Sequence, residues 1–235
     1  MSMFSYSRKE LLEGCHDCLP LLVGSIPFGF TCGVMSVAAG FTPFEAILMS
    51  IAVFSGAAQF AVVLMLQSGE LALNMIMAVT LMMNLHNLLL IASLSPYMAS
   101  IPKLIRYVLA FCMTDATYAI TMSRISRYGY SASYHIGASV VMYMSWTFAT
   151  AAGALFGHYV PDPLSWGLDF TLIAVFIAIL VPKLSDGLTA LVAAVAAVTA
   201  LTASLTMGGK WYILLACIVA PTVGLVWERI VKNEN

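Results

Sequence analysis

The sequence predicts an all-α fold: a polytopic membrane bundle of about eight spanning segments, with the first two or three broken or kinked. Three observations carry that expectation. Of 235 residues, 61% are hydrophobic and 9% charged, and mean hydropathy is +0.95; a soluble domain carries nearer a quarter charged residues. Apolar runs of spanning length recur from one end to the other, and no polar stretch is long enough for a separate soluble domain. The early runs are interrupted by proline, glycine and uncharged polar residues where an ordinary spanning helix has none. Net charge is −1 without any block of like charges, which excludes nucleic acid as a partner.

In chain order, residues 1–18 are polar, show no cleavable signal pattern, and read as a cytoplasmic N-terminal segment. Residues 19–230 read as one transmembrane domain. Cutting at charges and turn residues places spans near 19–40, 44–68, 71–98, 105–123, 134–157, 164–182, 186–207 and 211–230. In the first, Pro27 removes a backbone donor among Gly24, Gly29 and Gly33. The second carries Ser55-Gly56 and then Gln59, an amide far from either end. Freed backbone groups at membrane depth need partners inside the protein or in a wet cavity, so two broken segments in succession point to a transporter's central site. A plain proline kink, with glycines serving close packing, is the alternative. The third is longer than a bilayer core requires, and Asn84-Leu85-His86-Asn87 is its natural break.

Lys and Arg set the orientation. Cytoplasmic termini place Arg8, Lys9, Arg124, Arg127, Lys183, Arg229 and Lys232 inside, against Lys103, Arg106 and Lys210 outside. Lys103 and Arg106 conflict with the rule, while the acidic loop at Asp162 does not. A faint internal repeat pairs Gly29-x-x-x-Gly33 and Ile51-Ala-Val-Phe54 with Gly153-x-x-x-Gly157 and Ile173-Ala-Val-Phe176; close helix packing accounts for the glycines equally well. Cys15 and Cys18 form a Cys-x-x-Cys without a second pair, and Cys32, Cys112 and Cys217 stand alone. All five read as reduced, and neither a metal nor a cofactor is expected.

Ionisable groups within spans are costly and therefore candidates for function. Asp115 reads as mid-span, with Thr114 beside it and Tyr118 on the same face. Its alternatives are proton carriage or a static pair with a cation such as Arg106. His86 lies between Asn84 and Asn87 and titrates in a range that suits proton coupling; a bond to a neighbouring carbonyl is its plainer role. Asp169 opens the sixth span, where the helix dipole alone favours a carboxylate. Gln59 donates and accepts, which suits a zwitterion or simple helix-to-helix bonding. Tyr143, Trp146 and His158 read as aromatic or interfacial anchors of the fifth span. No His-Glu-x-x-His or Gly-x-Ser-x-Gly occurs, and Gly167-Leu168-Asp169 lacks the Gly-x-Gly-Asp setting of an intramembrane aspartyl protease, so an enzyme is not expected.

The runs IPFGFTCGV (26–34), SIAVFSGAAQFAVVLML (50–66), NLHNLLLIASLSP (84–96), TDATYAI (114–120) and the stretch 146–180 resemble the AzlC family over residues 10–230. Gly56-Ala57-Ala58-Gln59-Phe60 is the most specific piece. The resemblance implies the large subunit of a two-component exporter of leucine, isoleucine, valine or methionine. It also implies the bacterial inner membrane, ion-gradient coupling and a small AzlD-type membrane subunit, with a homo-oligomer also open. Two departures stand out. The family often has Asn-x-Arg where this chain has Asn84-Leu85-His86, and Thr-Asp-Glu where it has Thr114-Asp115-Ala116. One charge of each sign is absent, as a lost pair or an altered substrate preference.

On this reading Gln59 and freed amides from Ser25 through Pro27 to Gly29 hold the substrate's polar head. Phe28, Phe54, Phe60 and small residues receive its aliphatic chain, with Ser55, Gly56, Asn84 and Trp146 completing the site. Asp115, then His86, carries the coupling proton, with Tyr118 and Asp169 as further coupling or gating groups. A passive channel, a transporter of another small polar solute and a non-transporting scaffold remain as alternatives.

Overall fold

A computed structural model describes residues 6–69, 72–159, 170, 174, 177, 180, 181, 184, 186–207 and 211–233. The sixth expected span, with Asp169 and most of 164–182, lies outside the described residues, as do Asp162, Lys183 and Lys210. The elements are α1 (Arg8–Cys18), a 3-10 turn (Leu19–Leu21), α2 (Leu22–Ala38), α3 (Pro43–Val53), α4 (Gly56–Gln67), α5 (Leu73–Leu94), α6 (Lys103–Phe111), α7 (Asp115–Tyr128), α8 (Ala132–Phe156), a 3-10 turn (Gly157–Tyr159), α9 (Gly187–Thr206) and α10 (Trp211–Asn233). Among the described residues there is no strand. Among the described residues five stretches are long and apolar enough to cross a membrane: Arg8–Ala38, Leu73–Leu94, Ala132–Phe156, Gly187–Thr206 and Trp211–Val231. The all-α polytopic class is therefore as the composition indicates.

The chain forms two compact units, Met1–Phe60 with Asn84–Leu168, and Ala61–Met83 with Asp169–Asn235. The first is built on two long helices lying side by side. Ser7 caps α1 by accepting from the Glu10 amide at 3.3 Å, and Ser131 caps α8 by accepting from the Tyr134 amide at 3.2 Å. Pro20 sits at the start of the 3-10 turn, where its missing N–H costs little, so the chain runs on from α1 into α2. Reciprocal glycines set the separation from α8. Gly14 lies on the Tyr134 backbone while Gly137 lies on that of Leu11; further along, Gly33 lies on Thr150 and Gly153 on Phe30. Contacts advance together from Gly29 on Trp146 and Ala149 to Val34 on Gly157, so α2 and α8 run parallel, with α1 against the start of α8. The Gly-x-x-x-Gly elements thus pack against each other, the packing role the sequence left open.

In the second unit, Ala61, Met65, Met75 and Val79 form a buried cluster joined by Ile213 and Leu214. Gly224 of α10 lies against Val192 of α9, and Asp186 caps α9 by accepting from the Thr189 amide at 2.7 Å.

Of the breaks the sequence placed at Pro27, at Ser55-Gly56 and at 84–87, the second is present and the other two are not. α2 continues through Pro27, which is exposed, so the ring needs no room in the packed face. A proline deletes only one helical donor, and Thr31 Oγ1 donates to the Pro27 carbonyl at 2.9 Å. α5 continues through 84–87, where Asn87 Nδ2 donates to Asn84 Oδ1 at 3.2 Å and the two amides serve each other. Among the described residues the interrupted segments are the second, α3/α4 at Phe54-Ser55, where the sequence placed a break, and the fourth, α6/α7 at Cys112–Thr114, where it placed none.

Candidate functional site

At the first break Phe54 adopts φ 42°, ψ 50°, a left-handed conformation unusual for a residue with a β-carbon. The break frees carbonyls at the end of α3, and the Tyr143 hydroxyl of α8 donates to one of them, Ile51 O, at 2.9 Å. At the start of α4 the Gln59 amide returns to Ser55 O at 2.9 Å. Among the described residues no side chain caps the amides of Gly56, Ala57 and Ala58, and the Ser55 hydroxyl makes no hydrogen bond, although Ser55 is only 8% exposed. These three amides carry the positive end of the helix dipole.

The second break is closed by its own side chains. Thr114 Oγ1 accepts from the Thr117 amide at 3.2 Å, and Thr117 Oγ1 accepts from the Thr114 amide at 2.9 Å. An aromatic cluster joins the two breaks: Phe54 lies 4.8 Å from Tyr143 and 6.4 Å from Phe111, the last residue of α6, with Phe111 and Tyr143 6.1 Å apart.

Around the uncapped end of α4 the structure assembles most of the expected binding set. Phe28 stacks on Phe60 at 4.6 Å and meets the Trp146 ring edge-on at 5.6 Å. A β-carbon on Gly56 would stand 2.7 Å from Trp146 and 3.3 Å from Phe28, so glycine is what lets the main chain approach these rings. Gln59 is sealed and engaged at both ends of its amide: Nε2 donates to Ser50 Oγ at 2.7 Å, and Oε1 accepts from Trp146 Nε1 at 3.0 Å. It fixes the indole and the α3–α4 junction. Ser50 and Tyr143 thus join the site as positioning residues, and the buried Ser50 nine residues before Gln59 carried no sequence signal of its role.

Three expectations are corrected. Amides from Ser25 to Gly29 are not released, because α2 is continuous; the Ser25 hydroxyl is buried without a partner, and Gly29 packs on Ala149 and Trp146. Trp146 is buried at 7% exposure in the body of α8 and is no interfacial anchor. Asp115 does not sit inside a continuous fourth-span helix: it lies at the break within that segment, as the first residue of α7, where the dipole favours a carboxylate. Asn84 is paired with Asn87 in α5, and the side chain of His158 lies outside the described residues.

The coupling candidates come together on α5 and α7. His86 Nε2 stands 3.5 Å from Asp115 Oδ2, with side chains 47% and 59% exposed, and Ser93 Oγ donates to Tyr118 OH at 2.9 Å. The sequence named both ionisable groups, and the fold makes them one pair. Among the described residues no three His, Cys, Asp or Glu side chains are grouped to hold a metal ion.

Crossing-length apolar helices, two interrupted segments and an ionisable pair between helices define a multi-pass helical membrane protein. The chain belongs to the AzlC family: the family model described as AzlC protein matches residues 20–160. It is 32% identical over 177 residues to the inner membrane protein YgaZ of Escherichia coli, covering 72% of this chain and 71% of that one. It is 26% identical over 202 residues to the branched-chain amino acid transport protein AzlC of Bacillus subtilis, covering 85% and 78%. An uncharacterized membrane protein of Archaeoglobus fulgidus is 27% identical over 186 residues, covering 77% and 80%. No solved structure matches the chain significantly. The family expected from the motifs is thereby shown.

Proposed function

We propose that this protein moves amino acids across the membrane as a secondary transporter, exporting leucine, isoleucine, valine or methionine together with a small AzlD-type subunit. Family membership and the branched-chain amino acid transport named for the Bacillus relative support the class. The observation that carries the mechanism is the uncapped start of α4, with free amides at Gly56–Ala58 beside the unbonded Ser55 hydroxyl and the rings of Phe28, Phe60 and Trp146.

A carboxylate at those amides completes hydrogen bonds the chain leaves unmade and meets the positive end of the dipole. An aliphatic side chain beside the rings gains from burial, and such a wall separates neighbouring homologues by only about 1–3 kcal/mol per methylene, giving overlapping specificity. Gln59 acts through Trp146 and Ser50. The His86–Asp115 pair takes up and releases the coupling proton, with Tyr118 held beside it by Ser93.

The test is leucine efflux from liposomes holding this chain alone and then with a candidate partner subunit. Flux driven by a pH gradient and lost in Gly56→Val is expected. Flux indifferent to collapse of the gradient and to Asp115→Asn would make the protein a passive channel, and no flux with the partner supplied would make it a scaffold.

A further inference from the structure

A second polar centre lies at the end of the first unit where α1 meets the α7–α8 hairpin. A cavity of about 930 Å³ opens between them, lined by a stripe of α1 that includes Lys9, Glu13 and Asp17 and a stripe of α7 that includes Arg124 and Arg127. Its frame is tightly bonded. Arg124, 11% exposed, donates to Glu10 at 2.6 Å and lies between the rings of Tyr128 and Tyr134, 5.8 and 5.0 Å from their centroids. Glu10 also accepts from Ser131 Oγ at 2.8 Å, and the Tyr134 hydroxyl donates to Asp17 at 2.8 Å.

The groups left over are of both signs. Among the described residues Lys9 and Arg127 have no hydrogen-bond or ion-pair partner. Glu13 reaches Arg124 only at 3.9 Å, and Asp17 is held by a neutral hydroxyl while His16 stands 3.7 Å away. Counting the carboxylates Glu10, Glu13 and Asp17 against Lys9, Arg124 and Arg127, the wall is balanced. An anion such as a phosphate or a lipid headgroup meets three carboxylates there, and a cation meets as many positive charges. A solute that carries both charges is matched to it. Lys9 and Glu13 are one helical turn apart, a rise of about 6 Å, which an α-amino acid bridges with one hydrogen bond at each end.

We propose that this cavity is a second amino-acid site, a vestibule that captures zwitterions, with the carboxylate on Lys9 and Arg127 and the ammonium on Glu13 and Asp17. It rests on the transport reading for its purpose. Arg8, Lys9, Arg124 and Arg127 gather at this end, which the positive-inside rule makes cytoplasmic, the side from which an exporter draws. Charge-assisted contacts at a wet mouth concentrate substrate without discriminating among side chains.

The test is protection of a thiol introduced by Ser123→Cys, on the cavity wall, in the full chain in lipid nanodiscs. Modification by a charged thiol reagent is followed by peptide mass spectrometry, which separates this thiol from the native cysteines. Leucine is expected to slow the modification, whereas leucinamide and 4-methylpentanoate, each lacking one charge, do so far less. Lys9→Gln with Arg127→Gln should raise the half-protecting leucine concentration roughly tenfold, and Arg8→Gln, outside the wall, should leave it unchanged. No protection by leucine, equal protection by 4-methylpentanoate, or protection unaltered in the double variant overturns the proposal. Liposome flux keeps the two readings apart: protection without flux sinks the transport reading alone, and flux without protection sinks the vestibule alone.

Discussion

Gln59 shows how burial decides between two chemically reasonable roles for one side chain. An amide that already accepts from Trp146 and donates to Ser50 has little left for a ligand. Its removal is felt instead as orphaned partners. Gln59→Leu should lower the thermal midpoint in detergent by a loss of about 1–3 kcal/mol for each group left unpaired, and Ser50→Ala, which orphans one group, should lower it less. Equal midpoints for wild type and Gln59→Leu would return Gln59 to direct substrate contact. The His86–Asp115 pair behaves oppositely. Both side chains are about half exposed, so the pair at 3.5 Å contributes little as a static ion pair, under about 1 kcal/mol. Asp115→Asn is therefore expected to leave the melting midpoint nearly unchanged while flattening the pH dependence of leucine efflux. A large drop in midpoint with an intact pH profile would mark the pair as structural.

At the scale of elements, the break at Ser55-Gly56 was legible in place, whereas those read at Pro27 and at 84–87 are absent and the one before Asp115 went unread. Pro27 is the strongest breaker by propensity, yet one missing donor on an exposed face does not interrupt α2. Ser55-Gly56 marked a true break because a left-handed residue precedes it, and nothing in a phenylalanine announces that conformation. The fourth-span break was readable in hindsight: Thr114, Asp115 and Thr117 are an N-cap, a first-turn acid and the reciprocal cap, a helix start rather than a helix middle. Phe54 tests the first break. Phe54→Ala and Phe54→Gly delete the same ring from Tyr143 and Phe111, but only glycine relieves the left-handed backbone. Phe54→Gly should be the more stable by about 1 kcal/mol, read from thermal midpoints; the reverse order would mean that the strain is not there. The glycine crossings give a second contrast. A methyl at Gly33 points into the Thr150 and Ala154 backbone, which does not yield as a side chain does, whereas Gly24 has nothing near it. Gly33→Ala is expected to cost about 2–3 kcal/mol, and Gly24→Ala to be neutral or slightly stabilising. Equal effects would show that α2 and α8 are not held at these points.

For the whole molecule, the parallel course of Arg8–Ala38 and Ala132–Phe156 constrains topology without reference to charge. If both cross the membrane in the same direction, the chain between them must cross an odd number of times, which α3/α4, α5 and α6/α7 supply as three. The same count puts Arg124 and Arg127 at the end that holds Arg8 and Lys9, where the Glu10–Arg124 bond at 2.6 Å joins them. It also leaves Lys103 and Arg106 at the opposite end, against the charge rule. The structure gives Arg106 other work: its guanidinium donates to Ala99 O at 3.4 Å and Ile101 O at 3.2 Å, holding the turn before α6. A cation committed to backbone carbonyls is a weak topological signal, which lessens the conflict at Arg106 and leaves Lys103 against the rule. Reporter fusions test this. An alkaline phosphatase joined after Gly40 or after Ser100 should be active outside, whereas fusions at the N-terminus or after Gly129 should be inactive there and fluoresce as cytoplasmic reporters. If the fusions after Gly40 and Gly129 report the same side, the two long helices do not both span in one direction, and the vestibule beneath α1 no longer faces the compartment from which substrate is drawn.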